Sequence, residues 1–221
     1  MNADSRAPGA TSGAPAPAPA GVPAAKRRLR ERFRAETRDA ILAAAEAALA
    51  QHGARGARME VIAQQAGIAV GTLYNYFADR QELIDALFEA RRRELVEALD
   101  DALVQSEAEP FEARLAAFLA AGLGHFQAHR AFVALARHEE LRAGVGRWSV
   151  LLEMRARAER LIDAGLAAGL LRPEDRATYP HVLLGLLRGL IDAALEADAA
   201  PPSAALAAAA RCFLQGARRV S

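Results

Sequence analysis

The stretch from Arg58 to Phe77, RMEVIAQQAGIAVGTLYNYF, constrains the fold of this chain more than any other. Met59, Ile62, Ala63 and Ala66 recur at i, i+3, i+4 and i+7, which is one face of a helix. Gly67 comes directly after, where a helix end calls for a residue that tolerates the left-handed conformation. Val70, Leu73 and Phe77 repeat the three-then-four spacing, so a second helix restarts within about a turn. Thr72, Tyr74, Asn75 and Tyr76 stand between its buried positions and point away from the core. Short helix pairs joined at a glycine occur in many helical proteins, and aromatics at helical spacing usually pack inside. Here positions 74, 76 and 77 are all aromatic, so at least one must face outward. The pattern is that of a helix-turn-helix whose second helix can lie in a DNA major groove.

Two helices this short cannot build a core alone, and the flanking sequence supplies support. A helix is expected from about Arg32 to Gln51, with Ile41, Leu42, Ala45 and Leu49 inward and Gly53 as its stop. It would present Thr37 and Arg38 near the DNA backbone. Downstream, Asp79 and Glu82 have the spacing of a capping box. They would open a long helix carrying Leu83, Leu87 and Leu95 toward a second domain. Arg91, Arg92 and Arg93 on this helix read as a solvated charged face.

From about Thr37 to Leu87, a quarter of its length, the chain resembles the DNA-binding domain of TetR/AcrR-type transcriptional regulators. The resemblance rests on the Ile62-Ala63 pair, the Ala66-Gly67-Ile68 turn, the Gly-Thr-Leu-Tyr-x-Tyr-Phe run from Gly71 to Phe77, and the entry Asp79, Arg80, Glu82, Leu83. Members often carry Thr at the start of the second helix and Ser at the start of the third. Here Arg58 and Ala69 stand there, so two helix caps worth about 1 kcal/mol each are missing. Two phosphate-facing hydroxyls go with them, and Arg58 can substitute a charged contact.

On this reading Thr72 and Tyr76 hydrogen-bond phosphates, and Tyr74 does the same or packs on a thymine methyl. Asn75 can pair with adenine through two hydrogen bonds. Val70 and Gly71 allow close approach to base edges, and Arg58 and Arg80 are phosphate clamps. Leu73, Phe77, Ile62 and Ala63 are assigned to packing.

Composition agrees with an all-α chain: an N-terminal three-helix DNA-binding domain followed by a helical bundle. Apolar residues make up 52% of the 221 and aromatics 5%, alanine is abundant, and no β-branched run has period two. The formal net charge of +1 selects no partner, but Lys26 to Arg38 holds seven basic residues and two acidic ones. Such an arm either adds salt-sensitive phosphate attraction or solubilises a disordered tail, and the two are compatible. Residues 1–25, rich in Ala-Pro, are expected to be disordered. The DNA-binding domain is placed at 26–89 and the second domain at 90–221. A single cysteine, Cys212, excludes an internal disulfide, and its neighbours Phe213 and Leu214 suggest burial. No apolar run approaches the roughly 18 residues of a membrane span, and the start lacks a secretory segment, so a soluble cytoplasmic protein is expected.

In the second domain Pro110 suits a helix start, followed by a stripe of Phe111, Leu115, Phe118, Leu119 and Phe126. Gly122 and Gly124 interrupt it, as a bend or as room for a bound molecule. A short helix is expected over 131–142, closed by Gly144 and Gly146. Another follows over 147–168, with Leu151, Met154, Ala158 and Leu161 inward and Gly169 as its stop. Two last helices, about 181–197 and from Ser203 onward, are apolar beyond a single stripe and must bury a second surface. They are either the deepest helices of a monomeric bundle or, as the resemblance implies, a homodimer interface through Leu183, Leu186, Leu187, Leu190, Leu206 and Phe213. The resemblance also implies an effector pocket. Its candidates are Phe118, Phe126, Phe132, Trp148, Leu151 and Met154, and the few charges nearby suggest a small apolar ligand. His125 and His129, at i and i+4, could hold a metal, yet no carboxylate or cysteine completes a set. With no nucleophile–base pair and no phosphate loop, no enzyme activity and no cofactor are expected. The expected function is a ligand-responsive regulator, a repressor, that binds a double-stranded palindromic operator as a homodimer. The alternative is a helical-bundle carrier or partner-binding protein that reads no DNA sequence.

Overall fold

A computed structural model describes residues 24–130, 132–133, 146–197 and 203–217. Among these residues the chain is helical, with α1 (Ala24–Gly56), α2 (Met59–Gln65), α3 (Val70–Tyr74), α4 (Arg80–Gln105) and α5 (Phe111–Ala128). Then come α6 (Gly146–Ala167), a 3-10 turn at Pro173–Asp175, α7 (Tyr179–Glu196) and α8 (Ser203–Ala217). The described residues fall into two units, one ending at Thr37 and the other beginning at Arg38.

In the first unit α1 begins at Ala24, earlier than the expected Arg32. Ala, Lys, Arg and Glu are strong helix formers, and i, i+4 pairs add to them. Arg32 Nε lies 2.8 Å from Glu36 Oε1, and Arg27 pairs with Glu31 at 3.8 Å. The basic residues 26–34 are therefore helical, not a disordered tail. Of the 1–25 segment, all but Ala24 and Ala25 lies outside the described residues.

The second unit holds two apolar clusters. In the first, Ile41, Leu42, Ala45 and Leu49 of α1 meet Ile62 and Ala63 of α2, Leu73 of α3, Phe77, and Leu83, Ile84 and Leu87 of α4. Gly53 breaks α1 near the expected place, with φ 68°. In the second cluster α4 packs on α5 and α6, and α5 on α7 and α8. Helix α5 runs unbroken through Gly122 and Gly124, so neither is a bend. At Gly122 the freed space is taken by a protein side chain: a Cβ there would lie 2.6 Å from Leu187 Cδ2.

Several side chains sit elsewhere than expected. Cys212 is exposed, because Ala209, Ala210 and Phe213 occupy the inner stripe of α8. Arg91 and Arg92 are half-buried within ion pairs, not on a solvated face, and Arg93 alone of the three is exposed. Leu183, Leu187 and Phe213, expected at a dimer interface, belong to the subunit's own core at 0%, 1% and 3% exposure. Leu186, Leu190 and Leu206 are half-buried against that core. The second surface of α7 is instead Val182, Gly185 and Gly189, all exposed.

The pocket candidates do not converge. Phe118 and Phe126 are buried in the second cluster with Met154 against them, whereas Phe132 belongs to the first, edge-on to Phe88 at 4.7 Å. Leu151 is 46% exposed. The Trp148 side chain and nearly all of the helix expected over 131–142 lie outside the described residues.

Candidate nucleic-acid interface

Helix α2 ends in a hydrogen-bonded Gly turn that fixes the direction of α3. Gly67 N–H donates to Gln64 O at 3.1 Å and Ile68 N–H to Ala63 O at 3.0 Å, with Gly67 at φ 67°. This Schellman pattern satisfies carbonyls the helix would otherwise leave open. Neither Arg58 nor Ala69 makes a side-chain cap bond, as their residue types foretold.

Helix α3 is anchored by Leu73 and by Phe77 just beyond it, 0% and 1% exposed. On its other side Gly71, Tyr74 and Asn75 are exposed, Tyr74 at 48%. A Cβ at Gly71 would meet nothing within 4 Å, so the backbone there is open to a close partner. Thr72 is half-buried, and Val70 and Tyr76 pack partly against the first cluster. Arg38 lies with its guanidinium 5.1 Å from the Phe77 ring centroid, a cation–π distance. In the first unit, Thr37 donates its hydroxyl hydrogen to Phe33 O at 2.8 Å.

Helix α4 opens with the expected cap. Glu82 N–H donates to Asp79 Oδ1 at 2.8 Å, and Glu82 Oε2 accepts from Ala78 N–H at 2.6 Å. The return bond thus reaches one residue further back than in the usual box. Arg80 has a role the sequence did not disclose. Its Nε donates to Ala57 O at 3.0 Å and its Nη2 to Ala54 O at 2.5 Å. It closes the end of α1 onto the start of α4. Beside it Ala54, Arg55, Arg58 and Arg80 line an open cleft of about 390 Å³. Arg58 is exposed at its mouth.

A second group of charged side chains lies where α1, α4 and α5 meet. His129 Nδ1 is 2.9 Å from Glu46 Oε1, and His129 Nε2 is 3.0 Å from Glu94 Oε2. Arg91 holds the other oxygens, Glu46 Oε2 at 2.6 Å and Glu94 Oε1 at 2.5 Å. His125 stacks at an angle on His129, with ring centroids 4.7 Å apart. Burial, then the charges of His129 and Arg91, push the His125 imidazole down to about 4. Sequence spacing suggested the histidine pair alone; the carboxylates that join it come from other helices.

A short helix-turn-helix with an open outer face, held between a supporting helix and a capped long helix, defines a DNA-binding protein. The chain matches the model for bacterial regulatory proteins of the tetR family over residues 41–87. It is 30% identical over 142 residues to the HTH-type transcriptional repressor KstR2 of Mycobacterium tuberculosis (strain ATCC 25618 / H37Rv), covering 62% of this chain and 70% of that one. It is 27% identical over 159 residues to the uncharacterized HTH-type transcriptional regulator YhgD of Bacillus subtilis (strain 168), covering 68% and 80%. The fatty acid degradation regulator FadR from Bacillus halodurans shares the fold, with TM-score 0.70, 23% identity and coverage of 83% of this chain and 97% of that one. The chain belongs to the TetR family and is a DNA-binding transcriptional regulator. Among the described residues no helix is long and apolar enough to cross a membrane.

Proposed function

We propose that this chain represses transcription as a homodimer on an inverted-repeat operator, and that a ligand acting on the second domain releases it. The observation that carries the reading is the two-sidedness of α3: Leu73 and Phe77 fix it from beneath while Gly71, Tyr74 and Asn75 stand open above. Asn75 reads an adenine edge, Tyr74 meets a phosphate or a thymine methyl, and Thr72 and Tyr76 contact the backbone. Arg58 supplies a phosphate contact at the mouth of the basic cleft. Arg80 acts mainly by holding α1 to α4. Two copies of α3 would sit about 34–36 Å apart, one helical turn of DNA. Pairing through the exposed face of α7 at Val182, Gly185 and Gly189 would set that spacing. The name of the mycobacterial relative, a repressor, favours repression over activation. Residues 26–89 would read the operator and 90–221 would carry pairing and response, with α4 shared between them.

Selection from random duplex DNA by the full chain tests this. Enrichment of an inverted repeat is expected, with binding lost when Tyr74 and Asn75 are both replaced by alanine. Recovery of no sequence would overturn it in favour of a carrier or partner-binding protein.

A further inference from the structure

The junction of α1, α4 and α5 carries the makings of an ion site. Glu94, His125 and His129 each offer a ligand atom, and these three atoms lie within 4.8 Å of one another. Tetrahedral zinc at about 2.0–2.1 Å from nitrogen and oxygen ligands sets those atoms roughly 3.3 Å apart. The 3.0 Å between His129 Nε2 and Glu94 Oε2 is already close to that spacing. The His125 ligand atom lies within 4.8 Å of the other two and has to come closer to complete the set.

The surroundings match what a bound metal requires. A ligating histidine generally gives its other ring N–H to a carboxylate, which fixes its tautomer and orientation. Glu46 occupies that outer position, 2.9 Å from His129 Nδ1. Arg91 grips one oxygen of each glutamate and leaves the other facing His129. With His129 neutral, as a metal ligand must be, the single positive charge of Arg91 against two carboxylates leaves the cluster net negative, which favours a cation. Entry is open on one side, because the Glu94 side chain is 45% exposed while those of His129 and Glu46 are 17% and 15% exposed. Two imidazoles and one carboxylate suit a borderline transition metal over calcium or magnesium, with water completing the tetrahedron.

We propose that Glu94, His125 and His129, backed by Glu46, bind a divalent transition-metal ion of the zinc class, and that its occupancy alters operator affinity. The ligands span α4 and α5, and Glu46 brings in α1, which supports the helix-turn-helix. An ion there therefore adds a link between α4, α5 and the DNA-reading core, and its loss removes that link while the apolar contacts of α4 remain. The regulatory half rests on the DNA-binding function, whereas the binding half does not.

The test uses the full chain stripped with a chelator and titrated with Co²⁺, then with Zn²⁺ in competition. One equivalent per chain is expected, with the visible absorption of tetrahedral cobalt. His125→Gln is the cleanest variant, since this residue holds none of the ion pairs, and it should weaken Zn²⁺ binding at least 100-fold with helical content unchanged. Glu46→Gln should cost about 10–100-fold. Absence of saturable binding at one equivalent, or a His125→Gln protein within threefold of the parent, overturns the site. Zn²⁺ should also change operator affinity in the parent and not in His125→Gln. Equal responses of the two would overturn the regulatory half.

Discussion

Gly122 of α5 faces Leu187 of α7 so closely that a Cβ at position 122 would lie 2.6 Å from Leu187 Cδ2 and 3.2 Å from Cδ1. Leu187 is 1% exposed and belongs to the core, so any shift of its methyls must be taken up by the side chains packed around it. Alanine at a helix interior gains about 1 kcal/mol over glycine, and overpacking costs about 1–3 kcal/mol. Gly122→Ala is therefore expected to be destabilising by up to about 2 kcal/mol. Gly124→Ala, two positions along and open to solvent, should be stabilising by up to about 1 kcal/mol. Urea denaturation of the pair separates the effects, and equal shifts would remove the close approach as the reason for Gly122.

Arg80 and Arg58 line the same cleft and should respond differently to alanine. Arg80 gives two hydrogen bonds to the carbonyls that end α1, so Arg80→Ala should cost about 1–3 kcal/mol of stability. Arg58 is exposed and its side chain caps nothing, so Arg58→Ala should leave the melting temperature nearly unchanged. On operator DNA it should flatten the salt slope by about one unit per bound subunit. A salt series that leaves the Arg58→Ala slope at the parent value removes that contact.

These two arginines mark the boundary of what could be read in advance. Gly67, the Ile62-Ala63 pair and the Asp79–Glu82 cap act over a few residues, and spacing alone reveals such local bonds. The positive φ at Gly67 and the bond from Glu82 N–H to Asp79 appear where the pattern put them, and the return bond of Glu82 falls one residue further back, on Ala78. The bonds of Arg80 to Ala54 and Ala57 escape a reading of the sequence because those carbonyls lie more than twenty residues back. Arg91 looked solvated for the same reason: Glu46 is on another helix. His125 and His129 looked incomplete because Glu94 approaches from α4. Hydrophobicity placed Leu183 and Leu187 at a surface-burying helix, but which face meets the subunit and which meets a partner depends on rotation about the axis of α7. Periodicity does not settle that rotation when apolar residues run all round.

Asp100 links α4 to α6 by accepting from Arg157 Nη2 at 2.7 Å and Arg160 Nη2 at 2.5 Å. The hydrogen bond from Arg157, then that from Arg160, holds its carboxyl below the ordinary 3.8, against the opposing effect of burial. A depressed carboxylate contributes stability that is present above its unfolded value and lost as pH falls through the folded one. With a third of the Asp100 side chain exposed, screening limits this to about 1 kcal/mol or less. Asp100→Asn should show that deficit at pH 7 and converge with the parent in acid, once pH has fallen through the lowered folded value of Asp100. A deficit that persists in acid would mean packing, not charge, is lost.

Gly189 offers a clean separation of subunit stability from pairing. It sits inside α7 on the exposed side, and a Cβ there would meet nothing within 4 Å of the same subunit. Replacing it with arginine therefore removes no contact inside the subunit and improves helix propensity by about 0.5–1 kcal/mol. If α7 pairs with its copy through Val182, Gly185 and Gly189, the same arginine puts a charge and a long side chain into the closest approach of two backbones. Sedimentation should then show Gly189→Arg as monomer at concentrations where the parent is dimer. Melting measured dilute enough for both to be monomeric should show the variant at least as stable, since a dimer's own contribution varies with concentration. Binding to an inverted repeat should fall toward that of a single half-site. A Gly189→Arg protein that stays dimeric at parent strength would move the pairing surface off this face of α7.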